Sequence, residues 1–257
     1  MEEPPRIADL LPDSASSRRM SLAARLLNVF AIPGQVFAEL RTSPSAISNW
    51  LVPAILGAMI GLIWAGIVLS QPAVQQEFHE RQTKLIEERM KSGKMTAQER
   101  EIAETLTGPT VLKVAGGAGA VLGSFLSVLW WGFVLWFLGK KFLKVQVQFT
   151  KALEIAGLAT MINVLGRIVM ILLIVNFGKI GASPSLELAI KDFDLTQKGN
   201  LFAGAAIVFS FWVVGVRSIG LAKLAGVPYL RAAWAVVTFW VLEQSFFILT
   251  GLGQLVL

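Results

Sequence analysis

Two charged residues lie inside long apolar stretches of this sequence, where a membrane-spanning helix would keep them from water. Arg167 carries the one charge in residues 155–175, and Glu243 carries the one charge in residues 232–251. A charge at bilayer depth costs roughly 2.5–3.5 kcal/mol even on insertion scales, so such residues usually have a partner. If the two side chains meet, they form either an ion pair that fixes helix packing or a relay for protons or ions.

The predicted depths of these two charges agree. At about 1.5 Å per helical residue, Arg167 is about 21 Å and Glu243 about 17 Å from the start of its own span. The offset is less than one helical turn, which an arginine side chain can bridge. Asn163 lies one turn before Arg167, and Gln244 adds an amide beside Glu243. These four residues are the predicted intramembrane polar site. The open alternatives are a packing lock, a relay, and an Arg167 side chain that extends alone to the membrane surface.

The composition indicates an integral membrane protein. The 257 residues are 54% hydrophobic and 16% charged, with a mean hydropathy of +0.64, whereas soluble proteins are roughly 45–50% apolar and about 25% charged. The net charge of +6 comes from lysines and arginines in short loops beside apolar runs. That distribution is typical of charges that set membrane topology, and it argues against nucleic-acid binding.

Residue types for enzyme chemistry are lacking. The chain has no cysteine, and its single histidine, His79, lies in a charged stretch. Neither a metal cluster nor a nucleophilic triad can be assembled from these residues. Residues 116–119 are glycine-rich, but no strand precedes them and no Lys-Ser/Thr pair follows. We therefore predict no enzymatic activity, no catalytic residues, no metal and no cofactor.

Five apolar runs predict an all-α membrane protein built as a five-helix transmembrane bundle. The predicted spans are residues 50–69, 114–138, 153–175, 201–216 and 232–251, within a membrane domain at residues 50–251. Runs of this length cross a hydrocarbon core about 30 Å thick. Lysine and arginine concentrate in the second and fourth short loops, which predicts a cytoplasmic N-terminus and an outside C-terminus.

The segments before and after the first span have their own patterns. Residues 1–20 read as a disordered tail. Residues 21–49 predict two amphipathic helices that lie in the membrane interface, with a re-entrant segment as the alternative. Residues 71–110 predict an extramembrane helical hairpin, whose second helix starts with a capping box at Thr96 and Glu99. This hairpin is either a solvated element or a binding site for a partner.

Small residues at four-residue spacing predict close helix packing. Gly57 and Gly61 share a face of the first span, and Gly119 and Gly123 share a face of the second. Such pairs let two helix backbones approach each other. The contact is either within the bundle or between two copies of the chain.

Prolines, aromatic residues and glycines recur at both ends of the membrane domain. They are Phe30, Pro33, Val36, Phe37, Pro44, Trp50 and Pro53 near the first span, and Trp212, Ile219, Gly220, Leu221 and Ala232 near the last. Across residues 22–249 the chain resembles the bacterial branch of the Yip family, the Ypt/Rab-interacting-protein-like membrane proteins. The resemblance implies a non-enzymatic scaffold for membrane organisation or trafficking, in a bacterial inner or plasma membrane. The Asp-Leu-Tyr-Gly-Pro motif of eukaryotic members is absent, which puts GTPase binding in doubt.

The predicted partners are the lipid bilayer and either a second copy or another membrane protein, with no nucleic acid. The alternative function is a small secondary transporter or channel subunit that uses Arg167 and Glu243. Transport sites usually combine broken helices with several polar groups near the midplane. The second and fourth predicted spans are almost wholly apolar, which favours the scaffold.

Overall fold

The computed structural model of the protein describes residues 19–93, 95–96, 98–99, 101–102, 108–177 and 208–250. The described residues form helices joined by turns, with no strand among them. The helices are α1 (Leu22–Ala31), α2 (Pro33–Thr42), α3 (Ser48–Ile67), α4 (Pro72–Lys91), α5 (Pro109–Phe137), α6 (Phe149–Phe177), α7 (Val208–Ala225) and α8 (Tyr229–Thr250).

Five of these helices are long and apolar enough to cross a membrane, which confirms the predicted all-α, five-span class. The spans are Ser48–Ser70, Thr110–Phe142, Phe149–Phe177, Val208–Ala225 and Tyr229–Thr250. The fourth differs from the expected range 201–216, whose first residues lie outside the described part. In the structure α7 continues through Arg217 to Ala225 because Arg217 is buried in the bundle, and Gly226, with φ of 66°, ends the helix.

Helix α6 is the centre of the bundle. Every residue from Lys151 to Thr160 is buried, and α6 packs against α3, α5 and α7. A helix that is covered on all sides lies in the interior of a protein. Any polar residue in the first turns of α6 must therefore find its partners within the protein.

Helices α1 and α2 form a pair at the end of the bundle where α6 begins. The Ser21 hydroxyl accepts a hydrogen bond from the Ala24 N–H and caps α1, and Pro33 starts α2 after a break at Ile32. Proline suits this position because the first helical N–H has no partner within the helix. The buried faces of the two helices pack on α6 and α7; their buried apolar residues are Val29, Val36, Phe37 and Leu40.

The segment after α3 begins with the charged helix α4, which ends at Lys91 and has Ser92 as its C-cap before Gly93. The predicted capping box follows and is confirmed. The Thr96 N–H donates to Glu99 Oε2 at 2.7 Å, and the Glu99 N–H donates to Thr96 Oγ1 at 3.2 Å. The predicted tail at residues 1–20 lies almost wholly outside the described residues.

Protonation of Glu99 is expected to loosen this capping box. The Thr96 N–H and hydroxyl both donate to the Glu99 carboxylate and hold the pKa of Glu99 below its usual range. A lowered pKa in the folded state means that the stabilisation is present above the unfolded pKa and is lost as pH falls through the folded value. The amide proton shift of Thr96, followed by NMR on acidification, should move at a pH below the usual range of a glutamate carboxyl group. A Thr96 shift that moves within that usual range would contradict the capping interaction.

Candidate functional site

The second turn of α6 carries a buried carboxylate whose oxygens accept three hydrogen bonds. Glu154 is 1% exposed. Its Oε1 accepts from the Ala46 N–H at 2.8 Å, and its Oε2 accepts from Asn49 Nδ2 at 3.2 Å and from Lys151 Nζ at 3.4 Å. Lys151 Nζ also donates to the Ser43 carbonyl at 2.7 Å. Glu154 therefore ties α6 to the turn between α2 and α3.

A second ion pair joins this carboxylate to the N-terminal helices. Arg25 Nη2 lies 2.9 Å from Glu39 Oε1, which bridges α1 and α2, and Arg25 Nη1 donates to Asn49 Oδ1 at 3.2 Å. Asn49 thus connects Arg25 to Glu154. We call Arg25, Glu39, Asn49, Lys151 and Glu154 the polar network. It contains two cations and two carboxylates, and it links α1, α2, α3 and α6.

The chemistry of the polar network is that of a fixed connection. Each carboxylate accepts hydrogen bonds from a cationic side chain and from a backbone N–H. For Glu39 the backbone donor is the Met20 N–H, at 2.9 Å. A buried network whose members are hydrogen-bonded specifies one arrangement of the elements that it joins. Sequence reasoning missed it, because Arg25 and Glu39 read as interruptions of an apolar segment and Lys151 as a loop charge. The spacing of Lys151 and Glu154, one helical turn apart, was the available signal.

The predicted ion pair between Arg167 and Glu243 does not form in the structure. Arg167 faces α3, where its Nη1 lies 3.4 Å from the Gly57 carbonyl as a hydrogen-bond donor. Glu243 faces α5 and accepts a hydrogen bond from Trp130 Nε1 at 2.5 Å. The reason is the helix arrangement: α8 packs mainly on α7, so that similar depth does not bring the two charges together. Asn163 and Gln244 are partly buried beside their respective charges.

The cation that accompanies Glu243 is Arg217 on α7. Arg217 is buried, and its guanidinium lies 3.9 Å from the ring centroid of Trp131. Arg217 and Glu243 attract each other electrostatically. Within the described residues Arg217 Nε has no hydrogen-bond partner, and the guanidinium stacks on the Trp131 ring. Stacking of this kind suits the planar, weakly hydrated guanidinium of arginine.

Double-mutant cycles are expected to separate the observed contacts from the predicted one. Arg167→Ala and Glu243→Gln should be additive within about 0.5 kcal/mol in the free energy of unfolding, because the residues share no contact. Trp130→Phe and Glu243→Leu should show a coupling of about 1 kcal/mol, since the first removes the donor and the second the acceptor of the same hydrogen bond. The check is reversible unfolding in mixed micelles. A larger coupling in the Arg167–Glu243 cycle than in the Trp130–Glu243 cycle would indicate that Arg167 and Glu243 form the predicted ion pair.

Small residues bring α3 and α5 together, as the glycines of the first span predict. A Cβ added at Gly61 would lie 2.5 Å from the Ala120 Cβ, and one at Gly57 would lie 2.5 Å from Ser124 Oγ. The partner residues on α5 differ from the predicted ones, since Cβ atoms at Gly119 and Gly123 would meet no described atom within 4 Å. Ala120 and Ser124 follow them by one position, and Ser124 Oγ donates to the Ala54 carbonyl at 2.7 Å.

Alanine substitutions are expected to show the same difference between the two helices. Gly61→Ala should lower the free energy of unfolding by about 1–3 kcal/mol, because the new methyl group has no room against Ala120. Gly119→Ala should change it by no more than about 0.5 kcal/mol. Chemical denaturation of the two variants side by side measures this. Equal effects would show that α3 does not contact α5 as closely as the structure has it.

Most of the residues that carry the family resemblance pack against neighbouring helices. Phe30 makes an edge contact with Trp212, with ring centroids 6.0 Å apart. Phe37 lies against Gly220, where an added Cβ would be 3.3 Å from its ring. Of the remaining residues, Pro33 starts α2, Pro44 lies exposed in the turn after α2, Pro53 is buried within α3, and Trp50 packs against Gly157.

The fold and the network define a multi-pass, all-α membrane protein whose N-terminal helices are fixed to the spanning helices by buried charges. The model of the Yip1 domain matches residues 27–251, and the chain belongs to the Yip1 domain family. No curated protein and no solved structure matches the chain. The family supports a membrane protein of this kind, and no enzymatic activity follows from it.

Proposed function

We propose that the protein is a non-enzymatic organiser of its membrane and that the α1–α2 pair is the surface by which it shapes the bilayer. In this proposal the pair lies in the headgroup layer of one leaflet and acts as a wedge. The observation that carries the proposal is the polar network, which joins the pair to the spanning helices through Arg25, Asn49 and Glu154. A rigid connection supports this role, since a wedge must keep its position relative to the spans.

The outer side of the pair has the residues that an interfacial surface needs. Leu27 is 71% exposed and Ile32 is also exposed, and Ile47, in the turn that leads to α3, is 66% exposed. Arg41 is exposed on the same segment. Exposed apolar side chains next to basic ones favour insertion of a helix at the boundary between headgroups and acyl chains. Wedge-like insertion into one leaflet favours curved membranes.

The same end of the bundle is rich in exposed bases. The connection between α5 and α6 carries Lys140, Lys141 and Lys144, and the end of α7 and start of α8 carry Lys223 and Arg231. Under the positive-inside rule this basic end is cytoplasmic, so the N-terminus is cytoplasmic and the C-terminus lies outside. The bilayer is then the main partner, by resemblance that of a bacterial inner or plasma membrane, and a second copy or another membrane protein is a further partner.

Reconstitution tests the proposal. Purified protein at increasing protein-to-lipid ratio should reduce the diameter of liposomes or draw them into tubules, as measured by cryo-electron microscopy. Leu27→Glu with Ile32→Glu should abolish this effect, because two charges replace the apolar surface. The matched control is Gln35→Glu with Thr42→Glu, which adds the same charge at exposed polar positions of α2 and should leave the effect in place.

Two results would overturn the proposal. The first is liposome shape that does not change with the wild-type protein. The second is a proton- or ion-coupled flux in these proteoliposomes that Arg167→Ala abolishes while the protein stays folded. That result would instead support the transporter or channel subunit.

A further inference from the structure

A cavity of about 330 Å³ lies where α7 ends and α8 begins. It is lined by Ile219, Ala222, Lys223, Val227 and Tyr229. Ligand pockets in proteins are about 300–1,000 Å³, so this one suits a headgroup-sized ligand. Gly34 of α2 lies close to two of the lining residues, since an added Cβ there would be 3.7 Å from Lys223 Cε and 3.9 Å from Ile219 Cγ2. The α1–α2 pair is thus a neighbour of the cavity.

The residues of the cavity are divided between a polar and an apolar part. Lys223 supplies a cation and Tyr229 a hydroxyl, whereas Ile219, Ala222 and Val227 supply apolar surface. A second cation lies alongside, because Arg41 Nη1 donates to the Lys223 carbonyl at 3.4 Å. None of the described residues that line the cavity is acidic, and the sequence has no aspartate or glutamate from residue 208 to residue 242.

The position of the cavity matches the edge of a membrane. Lys223 is in the last turn of the spanning helix α7, and Tyr229 is the first residue of α8. Tyrosine is enriched at this depth, where its ring meets acyl chains and its hydroxyl meets headgroups. Basic pockets between spanning helices on the cytoplasmic side bind anionic headgroups.

We propose that this cavity binds the phosphate headgroup of an anionic phospholipid, held by Lys223 and Tyr229 with the start of an acyl chain on Ile219 and Val227. The ligand is a membrane lipid and not a free phosphate ion, because only a lipid has an acyl chain that can cover the apolar lining. The positive surroundings select an anionic headgroup over a zwitterionic one.

Native mass spectrometry of the full chain in detergent tests this site. The probes are phosphatidylglycerol and phosphatidylcholine of equal chain length. The wild-type protein should bind phosphatidylglycerol about five-fold more tightly, and Lys223→Ala should remove that preference. Lys141→Ala is the matched control, because it removes the same charge from an exposed position at the same end of the bundle, and it should retain the preference. Val227→Trp, which fills the cavity and keeps the charge, should also abolish selective binding.

Three outcomes would overturn the proposal. One is an equal loss in Lys141→Ala and Lys223→Ala, which would show binding to the basic surface in general. Another is selective binding that persists in Val227→Trp. The third is full displacement of the lipid by an equal concentration of inorganic phosphate, which would make a free phosphate the ligand. Thermal unfolding of each variant confirms that it is folded before binding is compared.

Discussion

Gly157→Ala is expected to lower the free energy of unfolding by about 2–3 kcal/mol or more. A Cβ at Gly157 would overlap the Trp50 Cα, and it would lie 2.9 Å from the Asn49 carbonyl oxygen. These are backbone atoms of α3, so no side-chain rotation relieves the contact. The helices α3 and α6 would have to separate at the point where Asn49 bonds to Glu154. Unfolding by denaturant in mixed micelles measures the loss.

The matched control for this substitution is Gly215→Ala. Gly215 is also an interior glycine of a spanning helix, and a Cβ there would meet no described atom within 4 Å. Its effect should stay within about 0.5 kcal/mol. If Gly157→Ala proves as stable as Gly215→Ala, then α3 and α6 do not pack as closely as the structure has it.

Glu154→Gln is expected to cost about 3–5 kcal/mol, as the loss of one partner of a buried ion pair typically does. The new amide would present a donor to Asn49 and Lys151, which are donors already, and the Lys151 charge would lose its buried anion. Glu87→Gln is the control, because Glu87 pairs with Lys91 at 4.0 Å on the exposed surface of α4. Exposed pairs contribute about 0–1 kcal/mol.

A double variant distinguishes a lost ion pair from a damaged core. Glu154→Leu with Lys151→Met removes both charges and leaves no uncompensated ion, so it should be more stable than Glu154→Leu alone. Thermal unfolding of the three proteins provides the comparison. Equal stability of the single and double variants would mean that Lys151 and Glu154 do not act as a pair.

Elements with a strong local pattern were predictable from the sequence. The five spans follow from apolar runs, the break at Pro33 follows from proline chemistry, and the capping box at Thr96 follows from its spacing to Glu99. Each of these depends on residues close in the chain. Their physical causes act within a few turns of helix, so no knowledge of packing is needed.

The partners of the buried charges were not predictable in the same way. Counting residues along each helix places Arg167 and Glu243 at similar depths in the membrane. It does not show which way each helix is rotated about its axis or which helices are its neighbours. The predicted fourth span ends at residue 216 and leaves Arg217 outside it, whereas the Trp131 ring provides Arg217 with a buried site. Likewise, spacing alone could not choose Ala120 over Gly119 as the face of α5 that meets α3.

The structure also assigns different roles to the two groups of charged residues that lie between helices. Arg25, Glu39, Lys151 and Glu154 fix the α1–α2 pair to the bundle. Arg217 and Glu243 lie with Trp130 and Trp131 near α8, where they hold α5, α7 and α8 together. The first group bears on the proposed membrane-organising role, because it determines how the exposed surface of α1–α2 is held.

Hydrogen–deuterium exchange in lipid nanodiscs tests most directly whether the polar network holds the α1–α2 pair on the bundle. In the wild-type protein, amides of residues 22–42 should exchange slowly. In Glu154→Gln, or in the milder Glu39→Gln, they should exchange at least about ten-fold faster while residues 155–170 of α6 stay protected. Unchanged exchange of residues 22–42 in both variants would contradict the account, and so would equal loss of protection throughout α6.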